Sequence, residues 1–411
     1  MTYFPQTSVK FLDSANIDAF GRVRMGAPST IFDNQQQYMD NPLFWENQFV
    51  GAGAVVHIPN ESCVQLSTGN TLSGSSAVRQ SKQYVRYQPG KSQEVTLTFV
   101  FDTGSVAGNV RRIGYFDQNN GVFLEQSGSN VNFVVRSFVS GAVSENRVSQ
   151  SAWNLDTFDG RGPSGFTLDL TKAQIWEADM QWLGTGRVRS GFEINGMLIY
   201  AHQFVHANSL SSVYMTTANL PIRAECFNAG ATGATATMRQ ICAAVISEGG
   251  VEETIGAQFQ ANNGIAGVSV TTRVPLLSVR ASTLGPGGII RNTGQITPQN
   301  FDIVSANQAI LWEIVLNGGL TGSSFANVNP QFSCAQFDTA STAISGGIVL
   351  DAGFAQGGGA TRGAPASTDF FRKYPLVYSG LLNHQDVISI VATSLAGGTV
   401  VNAHASWEEQ T

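Results

Sequence analysis

Residues 175–206 read IWEADMQWLGTGRVRSGFEINGMLIYAHQFVH, and the way this stretch folds decides the class of the whole chain. Asn195-Gly196 separates two strand-like runs, 188–194 and 197–204. Asn-Gly accepts the positive φ angles of a type I′ turn, whose twist matches that of the strands it joins. A two-residue turn also fixes register, so Ile194 is expected opposite Met197, Phe192 opposite Ile199 and Arg189 opposite His202. Residues 175–183 read as a further strand, broken at Gly184-Thr185-Gly186. Successive strand side chains point to opposite faces. Trp176, Ala178, Met180 and Trp182 therefore share one face, and Glu177, Asp179 and Gln181 line the other. The apolar companions predict core tryptophans, rather than a sugar-stacking platform formed with Trp153 and Tyr200.

Outward from this stretch, period-two alternation recurs. Strands are predicted at 54–58, 63–66, 83–87, 94–101, 111–117, 121–126 and 130–139, with two more at 219–227 and 235–248. Gln88-Pro89-Gly90, Asn119-Asn120-Gly121 and Ser127-Gly128-Ser129 punctuate them at the spacing of a sandwich or jelly roll. Ser247-Glu248-Gly249-Gly250 reads as a seam. Beyond it, strands are predicted at 267–273, 275–280, 302–305, 309–316, 328–336, 344–354, 387–393 and 399–407. Residues 1–53 lack a sustained period; a short strand at 29–33 and a turn of helix at 35–39 are the local signals. This segment reads as an arm that lies across its own domain or reaches a neighbouring subunit. The expected architecture is all-β, with a lectin-like jelly-roll sandwich over 54–250, a smaller sandwich over 251–411 and an extended N-terminal arm over 1–53.

Composition agrees with that class. Of 411 residues only 13% are charged, about half the usual share, and 44 glycines accompany abundant Ser, Thr and Asn. Helices exposed to water normally carry Glu, Lys and Arg, so their scarcity favours strands. The net charge is −6 and no Lys/Arg run follows a phosphate backbone, which predicts no nucleic-acid partner. No run approaches the ~20 apolar residues of a membrane span. MTYFPQTSVKF at the start lacks a basic region followed by an apolar run, so no signal peptide is expected. The four cysteines, Cys63, Cys226, Cys242 and Cys334, have no metal-ligand spacing and are expected as buried thiols.

The sharpest catalytic candidate is the row Glu177, Asp179 and Gln181. Jelly-roll glycosidases set a nucleophile and an acid/base carboxyl on one strand, about 5–5.5 Å apart for a retaining mechanism. Gln181 stands where the second carboxyl is needed, and an amide cannot donate and recover a proton. The row is therefore predicted as a polar strand face that pairs with Arg187 or Arg189, or meets a glycan or protein partner, and not as an enzyme site. His202 and His206, four apart on a strand, lie ~13 Å from one another, too far for one metal ion. Asp156, Asp159 and Asp169 lack the order of a calcium loop. The glycine-rich run 353–363 lacks the GK[ST] ending of a phosphate loop. No metal and no cofactor are expected.

Five stretches carry a resemblance: SANIDAFGRVR (14–24) with TIFD (30–33), RQSKQYVRYQPGKS (79–92), GYFDQNNGVF (114–123), WLGTGRVR (182–189) and SEGG (247–250). They resemble a family of virion structural proteins of tailed bacteriophages, over roughly residues 14–250. The resemblance implies a virion building block assembled in the host cytoplasm, with other virion proteins and copies of itself as partners. A tail, baseplate or fibre-anchoring place comes first, and head decoration second. The competing expectation is a carbohydrate-binding or catalytically dead glycosidase-like module serving host adsorption.

Overall fold

Asn195 and Gly196 adopt φ angles of 55° and 77° and close a hairpin in the computed structural model, which describes residues 26–250, 256–358 and 374–410. The first sandwich holds fifteen strands among the described residues. In chain order they are β1 (Ser29–Gln35), β2 (Trp45–Val50), β3 (Ala54–Ile58), β4 (Cys63–Ser67), β5 (Ser76–Ser81), β6 (Gln93–Val100), β7 (Asn109–Phe116) and β8 (Gly121–Ser127). After these come β9 (Asn130–Ser137), β10 (Ser144–Ser149), β11 (Gln174–Met180), β12 (Val188–Ile194), β13 (Met197–Phe204), β14 (Ile222–Asn228) and β15 (Thr237–Ser247).

They form two antiparallel sheets. One runs β13-β12-β11-β6-β15-β4-β3, with β1 also on β15; the other runs β10-β9-β8-β7-β14-β5-β2. Between them lie Val95, Leu97 and Phe99 of β6, Trp176, Ala178 and Met180 of β11, and Ile113, Tyr115, Leu124, Phe133 and Ala224 of the opposite sheet, all buried. The alternation expected for β6 and β11 is the alternation that makes this core. The fold is all-β and of the jelly-roll type.

Several local expectations give way to the structure. Residues 29–53 lie across their own domain, with a strand where one was expected over 29–33: β1 pairs with β15 and β2 with β5, and Trp45 is buried against Phe32 with ring centroids 5.9 Å apart. The rest of the predicted arm, residues 1–25, lies outside the described residues. Residues 36–39 bend without forming a helical turn. The run 83–87 contributes only an isolated bridge, Val85 to Leu220, and the ladder position goes to β5, whose Ser-rich sequence hides its strand character. Pro330 has no amide hydrogen to donate to a ladder, and the strand expected over 328–336 splits into Ala326–Asn327 and Ala335–Asp338.

The second region has its own core. A sheet of Ala257–Asn262, Val268–Val270, Gln295–Ser305 and Thr399–Gln410 faces a six-stranded sheet centred on Val274–Ala281, Val387–Ser394 and Ile310–Leu316. Leu277, Trp312, Ile390 and Trp407 are buried between them. Of the glycine-rich run 353–363, residues 359–363 lie outside the described residues.

Polar side chains join the two regions. Arg291 pairs with Asp117, Gln48 donates to the Leu381 carbonyl at 2.8 Å, and Ser379 donates to buried Glu46 at 2.8 Å. Burial pushes the Glu46 carboxyl up to about 7, because a charge in this seam loses its water.

Candidate functional site

On β11, Glu177 and Asp179 face away from the tryptophan core, as period two requires. Their cross-strand neighbours are Thr96 and Glu94 on β6 and Gly191 and Arg189 on β12. Asp179 is held from three sides: by the Arg189 guanidinium, by the Ser92 hydroxyl at 2.8 Å and by the Tyr200 hydroxyl at 3.2 Å. Arg189 also lies over the Tyr200 ring, 4.1 Å from its centroid. The expected partnership of the acid row with Arg189 is thus present.

The register beyond Arg189 differs from that expected. Ile194 does face Met197 and Phe192 does face Ile199, but a bulge between Ser190 and Gly191 sets Arg189 opposite Gln203. His202 then lies opposite Ser190, on the buried side, where its ring meets Phe204 edge-on at 4.6 Å. His206 lies past the strand, donates from Nδ1 to the Gly186 carbonyl at 2.7 Å and stacks on Tyr214. Burial lowers the pKa of both histidines.

Gln181 does not complete the row. The strand ends at Met180, and Gln181 begins an exposed turn, donating its backbone N–H to the Arg187 carbonyl at 3.0 Å. Its place near Glu177 is taken by Glu94, 83 positions earlier in the chain, which sequence spacing on one strand could not supply. Glu94 and Glu177 are hydrogen-bonded carboxyls. Burial and then the Glu94 charge push Glu177 up to about 8, and burial also raises Glu94. Two carboxyls in hydrogen-bond contact share a proton. Glu177 is 6% exposed and Asp179 8%, so little of the row reaches solvent.

The shared proton predicts a pH dependence. A folded pKa of about 8 lies above the carboxyl's ordinary 4.5, so between those values the folded chain binds more protons than the unfolded one. Stability then falls as pH rises through that window. Glu177→Gln keeps a donor toward Glu94 and removes the titration. The variant is expected to gain on the order of a few kcal/mol over wild type at pH 9 and nothing at pH 4, read from urea midpoints at the two pH values. Equal pH profiles for the two proteins would refute the shared proton.

The three aspartates of the 153–169 segment are satisfied locally. Asp156 accepts the backbone N–H of Phe158 at 2.8 Å and of Ser164 at 2.7 Å. Asp159 and Asp169 take the Thr157 and Thr171 hydroxyls. Among the described residues no cluster of three or more His, Cys, Asp or Glu side chains is arranged to hold a metal ion.

The opposite sheet carries a second polar face that the sequence reading did not single out. Outward on β7–β10 and β14 stand Arg112, Glu125, Asn132, Arg136, Arg147, Arg223 and Glu225. Glu125 receives Arg147 Nε at 2.9 Å, Arg112 Nε at 2.9 Å and Asn132 Nδ2 at 3.2 Å. The network continues through Arg112 to Glu225 at 3.2 Å, Glu225 to Arg223 at 2.6 Å, Arg223 to Gln80 at 2.9 Å and Gln80 to Glu46 at 3.2 Å. It therefore reaches the seam with the second region. Burial pushes the Glu125 carboxyl up, and the two guanidiniums more than offset it, leaving its pKa below the usual carboxylate value. An open groove of about 580 Å³ lies over this face. The signal was present as alternation of charged with apolar residues on each strand, but a charged position on one strand does not name its neighbours on the next.

A double β-sandwich whose acid row is closed on itself is the class that fold and site define. No family model matches the chain, and no curated protein matches it. Among solved structures it is similar to a legume lectin-like domain from Entamoeba histolytica, at 10% identity and TM-score 0.32, over 52% of this chain and 96% of that one. It is also similar to a glycosyl hydrolase family 16 protein from Mycobacterium smegmatis, at 12% identity and TM-score 0.35, over 53% and 100%. A protein of unknown function from Shewanella oneidensis MR-1 gives 10% identity and TM-score 0.37, over 61% and 100%. At these values no activity or ligand carries over from them to this chain.

Proposed function

We propose that this chain is a non-catalytic building block of a tailed-bacteriophage particle, in the tail, baseplate or fibre-anchoring region before head decoration. The sequence resemblance over 14–250 motivates the reading. The observation that carries it is that Asp179 and Glu177 are consumed by Arg189, Ser92, Tyr200 and Glu94. The one constellation resembling an active site is thereby used as structure. A large β-surface on two cores joined by a buried polar seam suits repeated contacts with other virion proteins and with copies of itself. Gold-labelled antibody against the purified chain is expected on intact particles, and sedimentation is expected to show self-association rising with concentration. A chain absent from washed particles and monomeric throughout would defeat the proposal.

The competing reading, a carbohydrate-binding or catalytically dead glycosidase-like module for host adsorption, is favoured by the open groove on the β7–β10 face rather than by the Glu177 face. Cleavage is not part of it. Gln181→Glu puts a carboxyl on an exposed turn beyond the strand, so no hydrolysis of β-glucan or of host polysaccharide is expected in a reducing-sugar assay. Turnover by this variant would restore the enzyme reading.

A further inference from the structure

We propose that the groove over β7–β10 binds a short acidic oligosaccharide, with a sugar carboxylate seated on the Arg147 guanidinium. The inference rests on the carbohydrate-binding reading and adds the place and the ligand class. The groove is lined by Arg112, Glu125, Asn130, Asn132, Arg147 and Phe227, among others, and its volume of about 580 Å³ lies within the range of about 300–1,000 Å³ typical of ligand sites.

The groove wall is preorganised where Arg112 lies 5.0 Å from the Phe227 ring centroid, and the neighbouring part of the same face is held likewise. Phe116, Phe123 and Val134 on this outer face are fully buried, because guanidiniums cover them: Arg136 lies 5.3 Å from the Phe116 ring centroid and 5.0 Å from that of Phe123, and Arg112 lies 5.4 Å from Phe123. Arginines stacked on rings and forked onto carboxylates lose little freedom when a ligand arrives. The chemistry of the wall is then decided by what remains open. Both Glu125 oxygens already accept from arginine, and its side chain is 3% exposed. Arg147 keeps 41% of its side chain exposed. Its Nε and Nη2 serve Glu125 and Glu145, while its Nη1 has no partner among the described residues. Asn130, Ser127 and Ser149 add partly or fully exposed amide and hydroxyl groups at the rim.

Arg112 and Arg147 line the groove with Glu125, while Glu225 and Glu145, which also pair with them, stand outside its lining; the charged donor left open is Arg147 Nη1, beside the Asn130 amide. Such a surface complements a ligand made of oxygen acceptors with a negative charge. Planar amides and guanidiniums bond vicinal sugar oxygens and carboxylates in pairs. Phe227, half-buried in the groove wall, offers an apolar surface for a ring face.

The test is titration calorimetry of the full chain with galacturonate trimer, guluronate trimer and sialyllactose, each beside a neutral oligosaccharide of equal length. At least one acidic ligand is expected to bind, more weakly at higher salt, and its neutral counterpart is not. Arg147→Ala and Asn130→Ala, both at exposed positions and with melting temperatures as controls, are expected to weaken it about tenfold or more, the loss of one charge-assisted hydrogen bond. Tyr200→Phe on the other sheet should leave it unchanged. Acidic binding that survives both groove variants would overturn the site while sparing the carbohydrate-binding reading. Binding of neutral sugars alone would overturn the ligand class, and no binding by any sugar would overturn both.

Discussion

Arg79→Ala is expected to destabilise the chain by about 3–5 kcal/mol, the summed cost of leaving several buried acceptors without a donor. Arg79 is fully buried on β5, and its fork reaches into three parts of the sandwich. Nε donates to Gln240 on β15 of the opposite sheet at 3.1 Å, and Nη1 to Asn47 on β2 at 3.0 Å. Nη2 donates to Gln36 at 3.1 Å and to the Asp40 carbonyl at 2.5 Å. The guanidinium also lies 4.6 Å from the Trp45 ring centroid. Burial lowers its pKa to about 10, which still leaves it charged at neutral pH. Removing it strands acceptors in β15, β2 and the 36–40 crossover without donors. A lowered urea midpoint should come with protease cleavage within 36–44, because this crossover is what Arg79 holds down. Arg79→Lys keeps the charge but not the fork, and should recover only part of the loss. An unchanged midpoint in Arg79→Ala would show that the crossover is held by its strands alone.

Trp176→Ala should cost a similar about 3–5 kcal/mol, for a different reason. Trp176 is fully buried between Leu97 of β6 and Phe192 of β12, and its indole N–H donates to Ser190 at 2.9 Å. Alanine opens a cavity at the centre of the larger sheet and leaves a buried hydroxyl without its partner. Trp176→Phe retains most of the contact area and loses the hydrogen bond, so it should cost clearly less. Thermal melts of the two variants against wild type decide the matter. An equal loss for both would mean the hydrogen bond, and not the packing, carries the effect. A loss confined to the first transition of a two-step melt would show that the second core folds on its own.

These two residues also mark how far the sequence was readable. Trp176 was legible because its role depends on period two and on two neighbours in the same strand, Ala178 and Met180. Asn195-Gly196 was legible because a two-residue turn needs positive φ at both positions, and few residue pairs accept that. Arg79 was not legible as a staple: its partners lie 32 to 161 positions away, and one guanidinium looks the same in a sequence whether it faces water or a core. The strand β5 itself was missed, since Ser76–Ser81 buries polar side chains that local reading assigns to solvent. The strand β2 went unread for the same reason, because Trp45–Val50 is a strand by virtue of its partner β5.

The acid row follows this division. Alternation alone placed Glu177 and Asp179 on one face and removed Gln181 as a proton donor by its chemistry. Only the tertiary structure brought Glu94 beside Glu177, closed Arg189 and Tyr200 over Asp179, and gathered Arg112, Glu125, Asn132 and Arg147 from four strands into one groove. The face of a strand residue is fixed by geometry repeating every two positions, so the sequence determines it. Which strand lies alongside is fixed by pairings across tens to hundreds of positions, where many registers satisfy the same local pattern and only the packed core selects one.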